Sequence, residues 1–204
     1  MTKLHRFALS GHAHRAELFL SLIGHPAEMI DVDMVGGAHK SPDYLKINPF
    51  GQVPVLEDEG HVIPDSNAIL VYLAERYAPE SWYPKDAFKR AEIQRWLSVA
   101  AGQIAQGPAS ARLVTLFGAD LDHERTKAIA AKLFEVMEPH LAERAFLTGD
   151  TPTIADVAGY SYIAHAPEGG VSLEPYPAIR AWLARIEALE GFVAMPASKA
   201  GLVG

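Results

Sequence analysis

The chain of 204 residues contains no cysteine. Disulfides, thiolate-bound metals and every mechanism with a protein thiol as nucleophile are therefore excluded. Thiol chemistry here needs a thiol brought in by another molecule. No apolar run approaches the ~20 residues that span a bilayer. The opening MTKLHRFALSGH also lacks the charged start and long apolar stretch of a secretory signal. The expectation is a soluble, cytoplasmic protein with no membrane partner. Lysine and arginine form no dense stripe, and the formal net charge is −7. Nucleic acid, which demands clustered positive charge, is not an expected partner. The nine histidines form no HExxH-like ligand set, so no metal is expected. His12 and His14, two apart, would face different sides of a helix.

What is present falls into two textures. Up to about Tyr77, β-like and helical runs alternate. Residues 3–9 read as a strand, and Ala16, Phe19, Leu20 and Ile23 then mark one helical face. Gly24 and Pro26 stop that helix in the usual order. Residues 28–33 read as a second strand. Val53–Leu56 and His61–Ile63 flank Glu57-Asp58-Glu59-Gly60, a hairpin signal. Asp65 and Ser66 then cap a helix carrying Ile69, Leu70 and Leu73. A strand–helix–strand unit pairs in parallel, whereas a hairpin adds antiparallel strands. The first part should therefore be a small mixed sheet of four strands with helices packed on it.

Residues 78–85 hold two prolines and no periodicity, as a linker does. Beyond them the pattern is helical. One stripe is Ile93, Trp96, Leu97, Ala100 and Ile104. A second is Ile129, Leu133, Val136, Met137 and His140 or Leu141, and a third is Ile179, Trp182, Leu183 and Ile186. These read as core. Thr153-Ile154-Ala155-Asp156 has the form of a capping box, a structural device. The division is 1–77, a linker at 78–85, and an all-helical domain at 86–204.

Four short segments carry possible chemistry. In Asn48-Pro49-Phe50-Gly51-Gln52-Val53-Pro54, proline cannot occupy a central strand. Val53 is left at the sheet margin, either in a structural turn or, with a cis Pro54, ready to pair with an extended peptide. Asp65-Ser66 at a helix start is either an ordinary cap or a site for an amino-acid head group, with the helix end facing its carboxylate and Asp65 its ammonium. His39-Lys40 follows Gly36-Gly37, and Lys40 is either solvated or a clamp for a second carboxylate. Ser10, between the first strand and first helix, is either an N-cap or a hydroxyl that stabilises a thiolate. No G-x-S-x-G elbow surrounds it, which speaks against a hydrolase nucleophile.

In combination and order, these segments resemble the cytosolic glutathione transferase superfamily over nearly the whole chain. Ser10 with Arg15 looks like the Ser-x-x-x-x-Arg of its serine-type classes. His39-Lys40-Ser41-Pro42 with Asn48 to Pro54 is similar to the phi-class glutathione site. Asp65-Ser66, the Thr153–Asp156 box and the helix from Tyr176-Pro177 to Trp182 match as well. The resemblance implies a thioredoxin-like domain of βαβ-α-ββα order followed by an all-α bundle. It implies that Ser10 stabilises the thiolate of glutathione, the cosubstrate, for attack on a hydrophobic electrophile. Val53 and cis-Pro54 would pair with its cysteinyl part, and Asp65 and Ser66 would hold its γ-glutamyl group. His39, Lys40 and Gln52 would hold its glycine end. An electrophile pocket is expected between Phe7, Leu9 and His12 and the helix around Gln103–Arg112. His12 or His14 is a further candidate for touching ligand. Arg6 and Phe7 stand about where tyrosine-type classes place their tyrosine, so the role falls to Ser10. Family members are usually homodimers, with an aromatic key near Phe50 in some classes. Peroxide reduction, isomerisation, dehalogenation or a non-enzymatic binding role on the same scaffold remain alternatives.

Overall fold

The computed structural model describes residues 1–198. The end of the expected helical domain, residues 199–204, lies outside the described residues. Strand β1 (Thr2–Arg6) pairs in parallel with β2 (Ala27–Asp31) after the crossover helix α1 (Gly11–Leu22). Helix α2 (Pro42–Ile47) leads to the antiparallel hairpin β3 (Val55–Asp58) and β4 (His61–Pro64), and α3 (Ser66–Tyr77) follows. Strand order is β2-β1-β3-β4. The expected mixed sheet of four strands is present.

Alternation along β3 separates two apolar layers, as a pleated strand requires. Leu56 lies opposite Leu4 of β1 and packs with Phe19, Ile69 and Leu70 of the helices on one face. Val55 faces the other way, into a smaller cluster with Val32 and Tyr44 of α2. The hairpin turn is Glu59-Gly60, with φ of +48° and +83°. Positive φ at both central residues is the requirement of the turn type that matches strand twist.

The strand expected over residues 3–9 stops at Arg6. Ser10 N–H closes a turn on Phe7 O at 2.9 Å, and Leu9 O is taken by Arg112 at 2.7 Å. The second strand begins and ends earlier than 28–33, and β3 begins only after Pro54.

After a 3₁₀ turn at Glu80–Trp82 come α4 (Ala87–Val99), a π-helical stretch at Ala100–Ala109, α5 (Ser110–Phe117) and α6 (His123–Ala142). Helices α7 (Ile154–Ala164) and α8 (Pro177–Glu187) complete the described part. The first and third expected stripes are buried. In α6 the stripe is displaced: Val136 is 65% exposed while Phe134 is fully buried. The inward face there runs Thr126, Ala130, Leu133, Phe134, Met137, Leu141.

Helix α7 is buried from Ile154 to Ile163 and forms the axis of the bundle. A helix apolar on all sides belongs in such a place. Its capping box is formed: Asp156 Oδ2 accepts from Thr153 N at 2.9 Å, and Thr153 Oγ1 accepts from Ala155 N at 3.3 Å. Asp156 does more than the box requires. Its Oδ1 also accepts from Leu147 N at 2.8 Å and from Trp182 Nε1 at 2.9 Å. Burial pushes this carboxyl above the usual carboxylate range, against the pull of those donors.

Thr153→Ala should thus cost about 1 kcal/mol of unfolding free energy. Asp156→Ala leaves three buried N–H donors unmet at ~1–3 kcal/mol each, so its loss should be several times larger. Urea unfolding of the two variants beside wild type checks the order.

Candidate active site

A cavity of about 870 Å³ opens where the sheet half meets the helical half. Two helix N-termini supply its polar wall. Ser10 caps α1: its Oγ accepts from Ala13 N at 3.3 Å, a cap that does not use the hydroxyl proton, and Ser10 also hydrogen-bonds Tyr162. Asp65 caps α3 through Oδ1, which accepts from Asn67 N and Ala68 N at 2.9 Å each. Asp65 has φ of +78°, a conformation that non-glycine residues adopt rarely and that gathers at ligand sites. Ser66 follows it, 3% exposed. Both helix ends present free N–H groups and positive dipole ends to the same space.

Between them lies the loop that precedes β3. The Val53–Pro54 peptide is cis, and Val53 N–H and C=O have no hydrogen-bond partner among the described residues. The carbonyl of Gln52 is fixed from behind by Tyr44 Oη at 2.9 Å and Asn48 Nδ2 at 2.8 Å. The exposed Gln52 side chain and the half-buried His39 line the cavity, and His39 Nδ1 is buried without a partner. Lys40 is not in the lining. Its Nζ donates instead to Phe50 O at 3.2 Å and Gly51 O at 3.4 Å, bracing the turn.

The opposite wall is apolar. Phe7 and Leu9 face Ala105, Ala109, Leu113 and Phe117, with Tyr162 of α7 beside them. Gln103, expected in this wall, is outside the lining. The helix turns Ala105 inward instead, and four-residue steps then bring Ala109, Leu113 and Phe117 onto the same side.

Two buried guanidiniums flank the cavity. Arg15 donates through Nη1 to Ser66 Oγ and to Asn67 Oδ1, both at 2.8 Å, while its Nε and Nη2 are buried and unpaired. Burial pulls its pKa down to about 10. Arg112 Nε pairs with Glu168 Oε2, and Arg112 Nη1 holds Leu9 O, the carbonyl just before Ser10. Glu168 is held in turn by His165 Nδ1 at 3.2 Å and Ser198 N at 2.7 Å. Arg112 ends the segment expected to form the wall, but its own role carries no sequence signal, and neither does that of Tyr162. Arg112 is a lone cation in an apolar helix, and Tyr162 sits in a run that reads as core.

The two candidate histidines part company. His14 is buried, with Nδ1 2.9 Å from Ser161 Oγ and Nε2 2.9 Å from Val193 O, and it does not reach the cavity. His12 lines it, with its ring edge-on to Tyr162 at 4.9 Å. Burial first, then the Arg15 charge, lowers the His12 pKa from 6.5 to about 3.

That shift has a stability consequence. Between about pH 6.5 and 3 the unfolded chain binds a proton at His12 that the folded chain refuses. Stability from this residue is present above pH 6.5 and is lost as pH falls toward 3. His12→Gln should flatten this part of the stability–pH curve, measured by urea midpoints at half-unit steps.

The family model described as "Glutathione S-transferase, N-terminal domain" matches residues 2–75, and its "C-terminal domain" partner matches residues 119–190. Glutathione S-transferase 3 of Zea mays is 34% identical over 207 residues, covering 93% of this chain and 90% of that protein. A crystal structure of glutathione S-transferase from Pseudomonas fluorescens superposes with a TM-score of 0.90 at 31% identity, covering 96% of this chain and 99% of that one. Human glutathione transferase theta-2, solved in complex with glutathione and an unknown ligand, gives a TM-score of 0.85 at 29% identity, with 93% and 82% covered. Sheet order, paired helix ends and these matches agree, and the chain belongs to the glutathione S-transferase family.

Proposed function

We propose that this protein transfers glutathione to a hydrophobic electrophile, with residues 1–77 as the glutathione-binding domain, 78–85 as linker and 86–204 as the helical domain. The observation that carries the reading is one cavity with two helix N-termini and an unpaired strand margin on one wall and apolar side chains on the other.

The γ-glutamyl carboxylate takes the N-terminus of α3, bonded by the backbone N–H of Ser66. The ammonium goes to Asp65, whose Oδ2 is not used in capping. Val53 pairs through its N–H and C=O with the cysteinyl unit, as one strand adds to another. The glycine end lies toward His39, with its unpaired Nδ1, and Gln52. Lys40 Nζ has three N–H donors and two carbonyl partners, so one remains for the terminal carboxylate.

This places the sulfur by Ser10, at the positive end of α1. The hydroxyl donates to the sulfur while accepting from Ala13 N–H, so the thiolate is favoured over the thiol. The thiol proton leaves to solvent. A sulfur lone pair then forms the S–C bond, and the leaving group departs with its electron pair. If the electrophile is a conjugated acceptor, its neighbouring carbon takes a proton instead. The absence of cysteine fits this chemistry, because the reactive thiol arrives with the cosubstrate.

Ser10→Ala should raise the thiol pKa of bound glutathione and lower turnover. Loss of one such donor typically costs ~10²–10³ in rate, and less where a helix end shares the task. The ultraviolet thiolate band across pH, with glutathione binding by calorimetry, tests this. No binding at millimolar glutathione would defeat the transferase reading.

The homodimer usual in this family is proposed as well. Phe50 is 77% exposed at the tip of the turn braced by Lys40, a position from which it can enter a partner. Phe50→Ala should then weaken dimerisation tenfold or more, since burying a phenylalanine is worth ~1.5–3 kcal/mol. Sedimentation over a dilution series reads it, and an unchanged dimer constant removes Phe50 from the interface.

A further inference from the structure

His14 is a built-in reference for His12. Both of its ring nitrogens have partners, as expected of a structural imidazole. The His12 ring has one partner, and it is a long one: Nδ1 stands 3.4 Å from Ser66 Oγ. No group among the described residues meets His12 Nε2, and this nitrogen is not among the buried unpaired atoms. It therefore reaches open space, and the residue lines the cavity.

The tautomer follows from the neighbours. Ser66 Oγ already accepts a proton from Arg15 Nη1 at 2.8 Å. An arginine only donates, so the Ser66 hydroxyl proton is free to turn toward His12 Nδ1. That nitrogen then accepts, and in a neutral ring the proton resides on Nε2. The charged and titratable groups around the ring are Arg15 on its own helix, Asp65 beside Ser66, Tyr162 on α7 and Arg112 on α5. Burial first and then the Arg15 charge oppose a charged imidazole, while Arg112 is paired with Glu168. The ring is therefore neutral wherever a thiolate is useful. It is too weak a base to take the thiol proton, and what it offers the cavity is an N–H.

We propose that His12 is a second catalytic donor of the glutathione site: its Nε2–H, set by the Arg15–Ser66–His12 relay, hydrogen-bonds the glutathione sulfur alongside Ser10 Oγ. This rests on the transferase reading above and deepens it. The relay draws the positive character of a buried arginine to the sulfur without putting a cation in contact with it. It also links the amino-acid end of the ligand to the thiol end, because Ser66 serves both, the carboxylate through its backbone N–H and His12 through its hydroxyl.

The test is the thiolate band of bound glutathione across pH for wild type, His12→Ala, His12→Gln and His12→Asn. Affinity for S-methylglutathione, which has no ionisable thiol, is measured in parallel. A charge-assisted hydrogen bond lost at the sulfur corresponds to a rise of about one to two pH units in thiol pKa. The expected result is that rise in His12→Ala, with S-methylglutathione affinity changed less than about threefold. Glutamine, whose amide N–H reaches about as far as Nε2, should restore the low thiol pKa, and the shorter asparagine should not. If His12→Ala fails to fold, the contrast between glutamine and asparagine decides the matter alone. A thiol pKa unchanged in all variants, with S-methylglutathione affinity reduced, would assign His12 to the γ-glutamyl end and overturn the proposal. Wild type that binds glutathione without forming thiolate, or does not bind it, overturns the transferase reading itself and this inference with it.

Discussion

The contact on which the rest depends is that of the first turn of α1 against α7. A Cβ at Gly11 would stand 2.7 Å from the Tyr162 ring, so only glycine allows this approach. Gly11 lies between Ser10 and His12, and Tyr162 Oη meets His12 N at 3.3 Å. The cavity has one wall from the sheet half and one from the helical half, and this contact sets their spacing. The core is accordingly continuous, running from Leu4 and Leu56 through Ile69 to Ile163 and Trp182. Arg112 reinforces the join from the other side, with Glu168 on the helical half and Leu9 O on the sheet half as its partners. Removing one member of such a buried pair leaves an uncompensated charge, so the join tolerates no partial version.

An acidic chain that attracts an anion needs a local field opposed to its global one. The net charge is −7, yet among the described residues no carboxylate but Asp65 lines the cavity. Two helix N-termini point into it and two buried guanidiniums lie behind it. Low surrounding polarity amplifies each of these fixed charges and dipoles. Arg15 illustrates the trade. Two of its nitrogens are unpaired at full burial, which costs stability, and in exchange its charge lies behind Ser66 and His12 without being neutralised. Asp58 shows the contrary arrangement at the far end of the sheet. There Thr2, Tyr72 and Tyr77 donate to it at 2.6, 2.8 and 2.5 Å, a saturated carboxylate with nothing left to offer a ligand.

What is legible in the sequence is local. Period-two and period-3.6 patterns mark the strand–helix–strand unit, the hairpin and two of the three stripes in the helical half. The turn chemistry of Asn48 to Pro54 and the Asp65-Ser66 pair mark the polar wall, since each is a property of neighbours in the chain. The departures share a cause. The strand expected over residues 3–9 is cut short by Arg112, a partner 103 positions away from Leu9. Val136 and Phe134, two apart, face different sides of the helix, and the facing elements decide which side is inward: Phe134 packs edge-on to Tyr176 at 5.3 Å. Gln103 falls outside the wall because the stretch Ala100–Ala109, π-helical with Pro108 inside it, turns Ala105 and Ala109 to the cavity instead. Tyr162 and Arg112 belong to the site only through long-range contacts, of which periodicity holds no record.

The apolar wall depends in the same way on packing that no local pattern encodes. Ala105 and Ala109 sit in its depth, where Ala109 is 4% exposed, while Leu113 and Phe117 at its outer end are 40% and 47% exposed. Small residues inside and large ones outside make a space that widens inward from the rim. Phe7 lies 6.3 Å from Phe117, ring to ring, and closes that rim from the sheet side. On the proposed reading, an electrophile filling such a space would keep its reacting carbon near Ser10 and leave its apolar body between the two phenylalanines. Binding energy collected there is remote from the reacting bond, and it serves turnover only by holding the carbon in line with the sulfur. On the proposed reading, selectivity would be a matter of length and girth at the rim more than of polar recognition at the centre, where the cavity's donors would be taken by glutathione.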